Sequence, residues 1–201
     1  MQAESPIETF VGGRERLLVS TSASGRNASS RREKVLVMRK AVVGVMGGAE
    51  VDADVRAMAK RLGELIAARG WILLNGGRNT GVMDASAEGA KGAGGTVVGI
   101  LPDRDTGRAS AHLDVAVVTG LGDGRYVINV LSSDVVVACP GALGTLSEIS
   151  FALKNGKRVV LLAREVGAEF EPYRRGGQLT SAPDPERAVE QVAAALGSKA
   201  E

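Results

Sequence analysis

The chain has little of what most catalytic and structural chemistry uses. Its 201 residues include one cysteine, one histidine and six aromatic side chains. A lone cysteine excludes an internal disulfide and fits a reducing compartment, so a cytoplasmic location is expected. Cys139 closes an apolar run, where packing is the ordinary use of a thiol, and His112 lies in a polar loop; neither is a candidate catalytic group. No metal-ligand spacing is visible, so no metal is expected, and nothing in the pattern calls for a cofactor. Six aromatics offer no stacking platform for single-stranded nucleic acid, which is not an expected partner. No apolar run approaches the roughly 20 residues of a membrane helix, so no membrane partner is expected either.

Charge is unevenly spread. The net charge is +2, but residues 1–40 hold eight Lys/Arg against four Glu, which leaves the remainder slightly acidic. The first residues lack periodicity and are rich in Ser, Arg and Gly, as in Ser20 to Arg32. Residues 1–38 therefore read as a disordered basic, Ser-rich leader, with translation from Met38 as the alternative. Residues 39–201 read as one domain.

From Lys40 the pattern alternates between strands and helices. Strands are expected at Ala41–Met46, Trp71–Asn75, Thr96–Leu101, Val115–Val118, from Asp134 to Cys139, and at Arg158–Ala163. Between them, Asp52 opens a helix with the apolar stripe Val55, Met58, Leu62, Leu65 and Ile66, stopped by Gly70. Further helices are expected from Val82 to Ala93, from Gly124 to Ser132, from about Leu143, and after Asp184-Pro185. Residues 164–182 read as a loose stretch. About six strands separated by helices give an α/β, Rossmann-like three-layer sandwich with a mostly parallel sheet. The turn after the first strand, Gly47-Gly48-Ala49-Glu50, is not the dinucleotide fingerprint, which argues against an ordinary NAD dehydrogenase.

Two strand–glycine turn–helix junctions carry the functional signal. In Pro140-Gly-Ala-Leu-Gly-Thr-Leu-Ser-Glu148, a strand ends and a helix begins, so free backbone N–H groups and the positive helix end point at one place. Gly141 and Gly144 let the backbone come close to a ligand, and Thr145 adds a hydroxyl donor. Glu148 is a poor phosphate ligand; it either complements the helix dipole or acts on a group beside the phosphate. The second junction is Gly76-Gly-Arg-Asn-Thr-Gly81, where Arg78 is either part of the pocket rim or solvated. Two such turns in one small domain fit a ligand at the carboxyl edge of the sheet.

With these motifs in place the chain resembles the LOG-like family, whose best-known members are the cytokinin riboside 5′-monophosphate phosphoribohydrolases. The resemblance covers roughly Lys40 to Leu162. The family's GGxxxGxM element is met by Gly76, Gly77, Gly81 and Met83. Its PGGxGTxxE element is met by Pro140, Gly141, Gly144, Thr145 and Glu148, with Ala142 in place of the second glycine. Its catalytic arginine, nine residues before the aspartate that opens the next strand, is met by Arg125 ahead of Asp134. In the hydrolases a lysine follows the arginine, where this chain has Tyr126, and three runs, Gly124 to Asn129, Gly81 to Gly95 and Gly99 to Pro102, resemble a bacterial subgroup related to molybdenum-cofactor carrier proteins.

The resemblance implies cleavage of the N-glycosidic bond of a nucleoside 5′-monophosphate to free base and ribose 5-phosphate. Glu148 would then face the oxocarbenium-like transition state, and Arg125 would hold it ionised and contact the substrate. The phosphate would rest on the amides from Gly141 through Ala142 and Gly144 to Thr145. Asn129, one turn beyond Arg125, shares its helix face and joins the site. Asp84 is either an ordinary helix residue or a ribose-hydroxyl acceptor. A homodimer or higher homo-oligomer is also implied. The alternative is a non-catalytic carrier of a small phosphorylated, nucleotide-like ligand such as molybdenum cofactor.

Overall fold

The computed structural model describes residues 39–197; the expected leader lies outside them. Seven strands form one sheet in the order β4-β3-β2-β1-β5-β6-β7, every neighbouring pair parallel. In chain order the strands are β1 (Val42–Met46), β2 (Ile72–Asn75), β3 (Thr96–Leu101), β4 (Val115–Val118), β5 (Val135–Ala138), β6 (Arg158–Leu162) and β7 (Leu179–Ala182). The helices are α1 (Ala53–Ala68), α2 (Gly81–Gly92), α3 (Arg125–Ser132), α4 (Leu143–Lys154), α5 (Glu171–Arg175) and α6 (Pro185–Gly197). Among the described residues no helix is long and apolar enough to cross a membrane.

The seventh strand corrects the expected count. Leu179–Ala182 falls in the stretch read as loose, because Leu-Thr-Ser-Ala has neither an apolar run nor β-branched density. Pairing with β6, from Val159 opposite Leu179 to Leu162 opposite Ala182, supplies what local propensity does not.

Parallel strands buried on both faces read as continuous apolar runs, and β5 is buried at all four positions. One face carries α1, α2 and α6 over a core that includes Val43, Leu62, Ile66, Leu73, Val137, Val189 and Val192. The other carries α3 and α4 over Met46, Val136, Ile149, Leu153 and Leu161. Asp52 caps α1 by accepting the Val55 N–H at 2.8 Å, and Gly70 leaves the helix with φ of 71°. Asp134 and Asp114 perform a matching task ahead of β5 and β4. Each carboxylate accepts an amide at the start of the neighbouring strand, Val42 N of β1 and Val97 N of β3, at 2.9 Å.

Helices α1 and α2 approach so closely that each places a glycine against the other's backbone. A Cβ on Gly63 would collide with the Ser86 carbonyl, and one on Gly89 with the Lys60 carbonyl. A Cβ on Gly92, in the same helix, would meet nothing within 4 Å. Gly89→Ala is therefore expected to lower stability by about 2–3 kcal/mol through overpacking. Gly92→Ala should be neutral or stabilising by up to about 1 kcal/mol. Urea unfolding of the pair checks this, and equal midpoints would contradict the close packing.

Candidate functional site

The strand order reverses at β1, which has β2 on one side and β5 on the other. Chains leaving the carboxyl ends of such strands diverge to opposite faces and open a crevice. Here the crevice is a cleft of about 220 Å³. Its walls are the end of β1 with the turn after it (Val45 to Ala49), the turn into α2 and its start (Gly76, Arg78, Met83), the turn before α3 and its start (Asp123, Arg125, Tyr126) and the start of α4 (Ala142, Gly144, Thr145, Glu148).

Backbone contacts bolt the three turns together. Gly48 N–H donates to the Pro140 carbonyl at 2.9 Å, and the Gly48 carbonyl accepts from Val82 N at 3.0 Å. These contacts require bare glycines. A Cβ on Gly81 (φ of 52°) would strike the Gly48 carbonyl, and one on Gly141 would lie 2.7 Å from Gly48 N. Gly77, with φ of 73°, backs onto Gly99 instead of facing the cleft.

The N-terminal end of α4 presents its first turn to the cleft. Its N-cap, Ala142, has no side chain able to cap, so the amides of the first turn are left to whatever enters the cleft. Thr145 is buried at that turn and lines the cleft. The Tyr126 hydroxyl hangs over it. A Cβ on Gly144 would lie 2.7 Å from this oxygen, which donates to Asp123 Oδ1 at 3.1 Å.

Glu148 lies one turn further in and is only 6% exposed. Burial pushes its carboxyl up to about 7, against the opposing effects of the Asn129 hydrogen bond and the Arg125 charge; Asp123 pushes the same way as burial. Asn129 Nδ2 donates to Glu148 Oε1 at 3.0 Å. Arg125 does not fix the carboxyl as expected. Its Nη1 donates to the carbonyls of Gly76 and, at 3.3 Å, Ile100, while Nη2 lies 4.0 Å from Met83 Sδ. The Arg125 charge favours an ionised Glu148, but desolvation outweighs it.

Asp103 takes the Arg78 guanidinium in a fork at 2.8 and 3.0 Å and also accepts from Arg108. The Arg78 bonds lead in holding its carboxyl down to about 2, with Arg108 assisting. Arg78 thus lines the cleft while tied to the loop after β3. Asp84 lies outside the cleft, accepting from Ser110 Oγ at 2.8 Å and facing Arg56 at 3.6 Å.

Of the expected residues, Gly76, Arg78, Met83, Arg125, Ala142, Gly144, Thr145 and Glu148 line the cleft. Gly77, Gly81 and Gly141 support it through the backbone, and Asn129 stands behind Glu148 rather than at the wall. Sequence reasoning missed the end of β1 and Asp123. The Gly47-Gly48 pair was the available signal for the first; nothing local marks the second.

A family model described as the SLOG cluster4 family matches residues 40–189. The solved structure of the molybdenum cofactor binding protein from the phototrophic bacterium Rippkaea orientalis is 46% identical, covering 79% of this chain and 99% of that one with a TM-score of 0.74. The molybdenum cofactor carrier protein from Chlamydomonas reinhardtii is 43% identical over 79% of this chain and 99% of its own, with a TM-score of 0.73. The cytokinin riboside 5′-monophosphate phosphoribohydrolase of Mycobacterium tuberculosis is 35% identical over 106 residues, which are 52% of this chain and 57% of that protein. This chain thus spans little more than half of that enzyme. The family match runs from the start of β1 into α6 and so takes in the whole cleft: the chain belongs to the SLOG cluster4 family.

Proposed function

We propose that the cleft binds a nucleoside 5′-monophosphate with its phosphate on the first turn of α4, and that Glu148 and Arg125 cleave its N-glycosidic bond to free base and ribose 5-phosphate. One observation carries this reading: a buried carboxyl with a raised pKa opens onto the cleft one turn from the amides that suit a phosphate. Phosphate anchoring fixes the sugar over the carboxyl, and a carboxylate beside the anomeric carbon stabilises the oxocarbenium-like transition state. Arg125, anchored on two carbonyls, supplies a fixed positive charge beside the carboxyl.

A second reading, a carrier of a phosphorylated pterin-like ligand, has its own support. Similarity to the molybdenum cofactor proteins is higher and spans nearly their whole length. The Tyr126 hydroxyl also crowds Gly144, where the resembling hydrolases have lysine. One assay separates the two: release of base and ribose 5-phosphate from a panel of nucleoside 5′-monophosphates, with Glu148→Gln in parallel. Hydrolysis predicts release that falls at least about 100-fold in the variant. Calorimetric binding without release would establish the carrier.

The carboxyl also affects stability. Glu148 has a raised folded-state pKa, so the folded protein holds a proton that the unfolded chain loses between the ordinary glutamate value of 4.5 and about 7. The cost of burying the charge is absent below that window and complete above it, on the order of 3 kcal/mol. Glu148→Gln should therefore raise the thermal midpoint at pH 8 and leave it nearly unchanged near pH 4.5. A variant equally stable, or less stable, at pH 8 contradicts the burial cost.

We also infer self-association through the outer face of α3 and α4. Leu131 is 49% exposed and Leu143 79% exposed, with Val127 beside them and half-buried Leu146 and Phe151 completing an apolar surface. Leu143 abuts the cleft lining at Ala142 and Gly144, so a second copy seated there would border the ligand. Sedimentation should show a dimer or larger species that Leu131→Asp converts to monomer; a monomeric wild type overturns the assignment.

A further inference from the structure

Among the described residues Glu148 has one hydrogen-bond partner, and that partner is an amide. The choice has consequences. A guanidinium only donates, so it would commit the carboxyl to its ionised form. A carboxamide donates through Nδ2 and, turned over about its terminal torsion, accepts through Oδ1 with almost the same shape.

Asn129 is 1% exposed, and its Oδ1 is buried with no hydrogen-bond partner. Turning the amide over therefore breaks no bond at that oxygen. In either orientation Asn129 makes one bond to Glu148 and leaves one amide atom unpaired. Its backbone is held in place meanwhile, because the Asn129 carbonyl accepts from Ser133 Oγ at 2.7 Å.

The charged groups facing Glu148 do not dictate one state. Arg125, on the same helix as Asn129, favours the anion through its charge but does not hydrogen-bond it: Nη1 donates to the Gly76 and Ile100 carbonyls, Nη2 faces Met83 Sδ, and Nε is buried without a partner. Asp123, on the turn before α3 and bonded to the Tyr126 hydroxyl, disfavours it.

We propose that Asn129 is a positioning residue that keeps Glu148 hydrogen-bonded in both protonation states, its amide turning over as the carboxyl gains or loses a proton, so that Glu148 exchanges protons with the ligand instead of standing as a fixed anion. This deepens the hydrolase reading and rests on it for the reaction. Glu148 enters protonated and gives its proton to the departing base nitrogen as the C–N bond breaks and its electron pair leaves with the base. The resulting carboxylate faces the sugar cation. Water then bonds to the anomeric carbon and returns its proton to Glu148. Asn129 donates while the carboxyl is ionised and accepts while it is protonated.

The test is a pH titration by NMR of the full chain labelled with 13C at the Glu side-chain carboxyl and with 15N. Glu148→Gln assigns the carboxyl signal, and Asn129→Leu assigns the amide. The Asn129 Nδ2 proton and nitrogen shifts should move with the same midpoint as the Glu148 carboxyl and stay fixed with pH in Glu148→Gln. Asn129→Leu, similar in volume and unable to hydrogen-bond, should raise the Glu148 midpoint by about 0.5–1 unit, because the bond to the ionised form is the stronger of the two lost. If that variant does not fold, co-titration in the wild type decides alone. Amide signals that stay still while Glu148 titrates, or a Glu148 that stays ionised down to pH 5, overturn the proposal. Co-titration in a protein that releases no base would retain the coupling and overturn only the hydrolase.

Discussion

Gly48 is the joint on which the cleft depends. Its N–H reaches the turn after β5 and its carbonyl receives the first turn of α2, so the ends of three strands are held by two backbone bonds on one residue. Backbones can meet this closely only where side chains are absent, which explains the glycines at 81 and 141 that face it. The joint also sets the distance between the α2 and α4 N-termini, and hence the size of any ligand that lies between them. None of this requires a bound molecule; it follows from a parallel sheet whose order reverses at β1.

Two demands then conflict in one small volume. The uncapped turn of α4 favours negative charge, whereas the buried carboxyl of Glu148 one turn deeper loses solvation when ionised. An anionic ligand on α4 adds a further negative charge near Glu148 and favours its neutral form. Binding a phosphate and protonating Glu148 therefore support each other. Arg125 moderates this through its charge alone, since its own hydrogen bonds go to backbone carbonyls. Burial lowers its affinity for a proton, yet an arginine keeps its charge in such settings.

Much of this was legible in the sequence where local chemistry decides the outcome. Asp52 as a cap, Gly70 as a stop, and the strand–glycine–helix junctions at Gly76 and Pro140 are local devices, and each stands where the pattern puts it. The seventh strand was not legible, because Leu179–Ala182 is made a strand by its neighbour and not by its own residues. The same division holds in the cleft. The family resemblance puts Glu148 and Arg125 in one site, but it does not say what each one bonds. Only the packing of α3 against α4 gives the carboxyl to Asn129 and turns the guanidinium toward Gly76 and Ile100. Asp123 has no motif at all and enters by the turn before α3.

The two readings of this cleft differ less in structure than in the use of one proton. A carrier needs the joint at Gly48, the open turn of α4 and a neutral Glu148 that does not repel its ligand. A hydrolase needs all of these, and also a carboxyl that can give up the proton and recover it without losing its place. A guanidinium partner would have served a permanently charged stabiliser, and an apolar neighbour would have served a permanently neutral wall. An amide with an unpaired oxygen serves neither as well as it serves a group that changes state. The partner of Glu148, more than Glu148 itself, is the feature on which the proposed hydrolase and the carrier part.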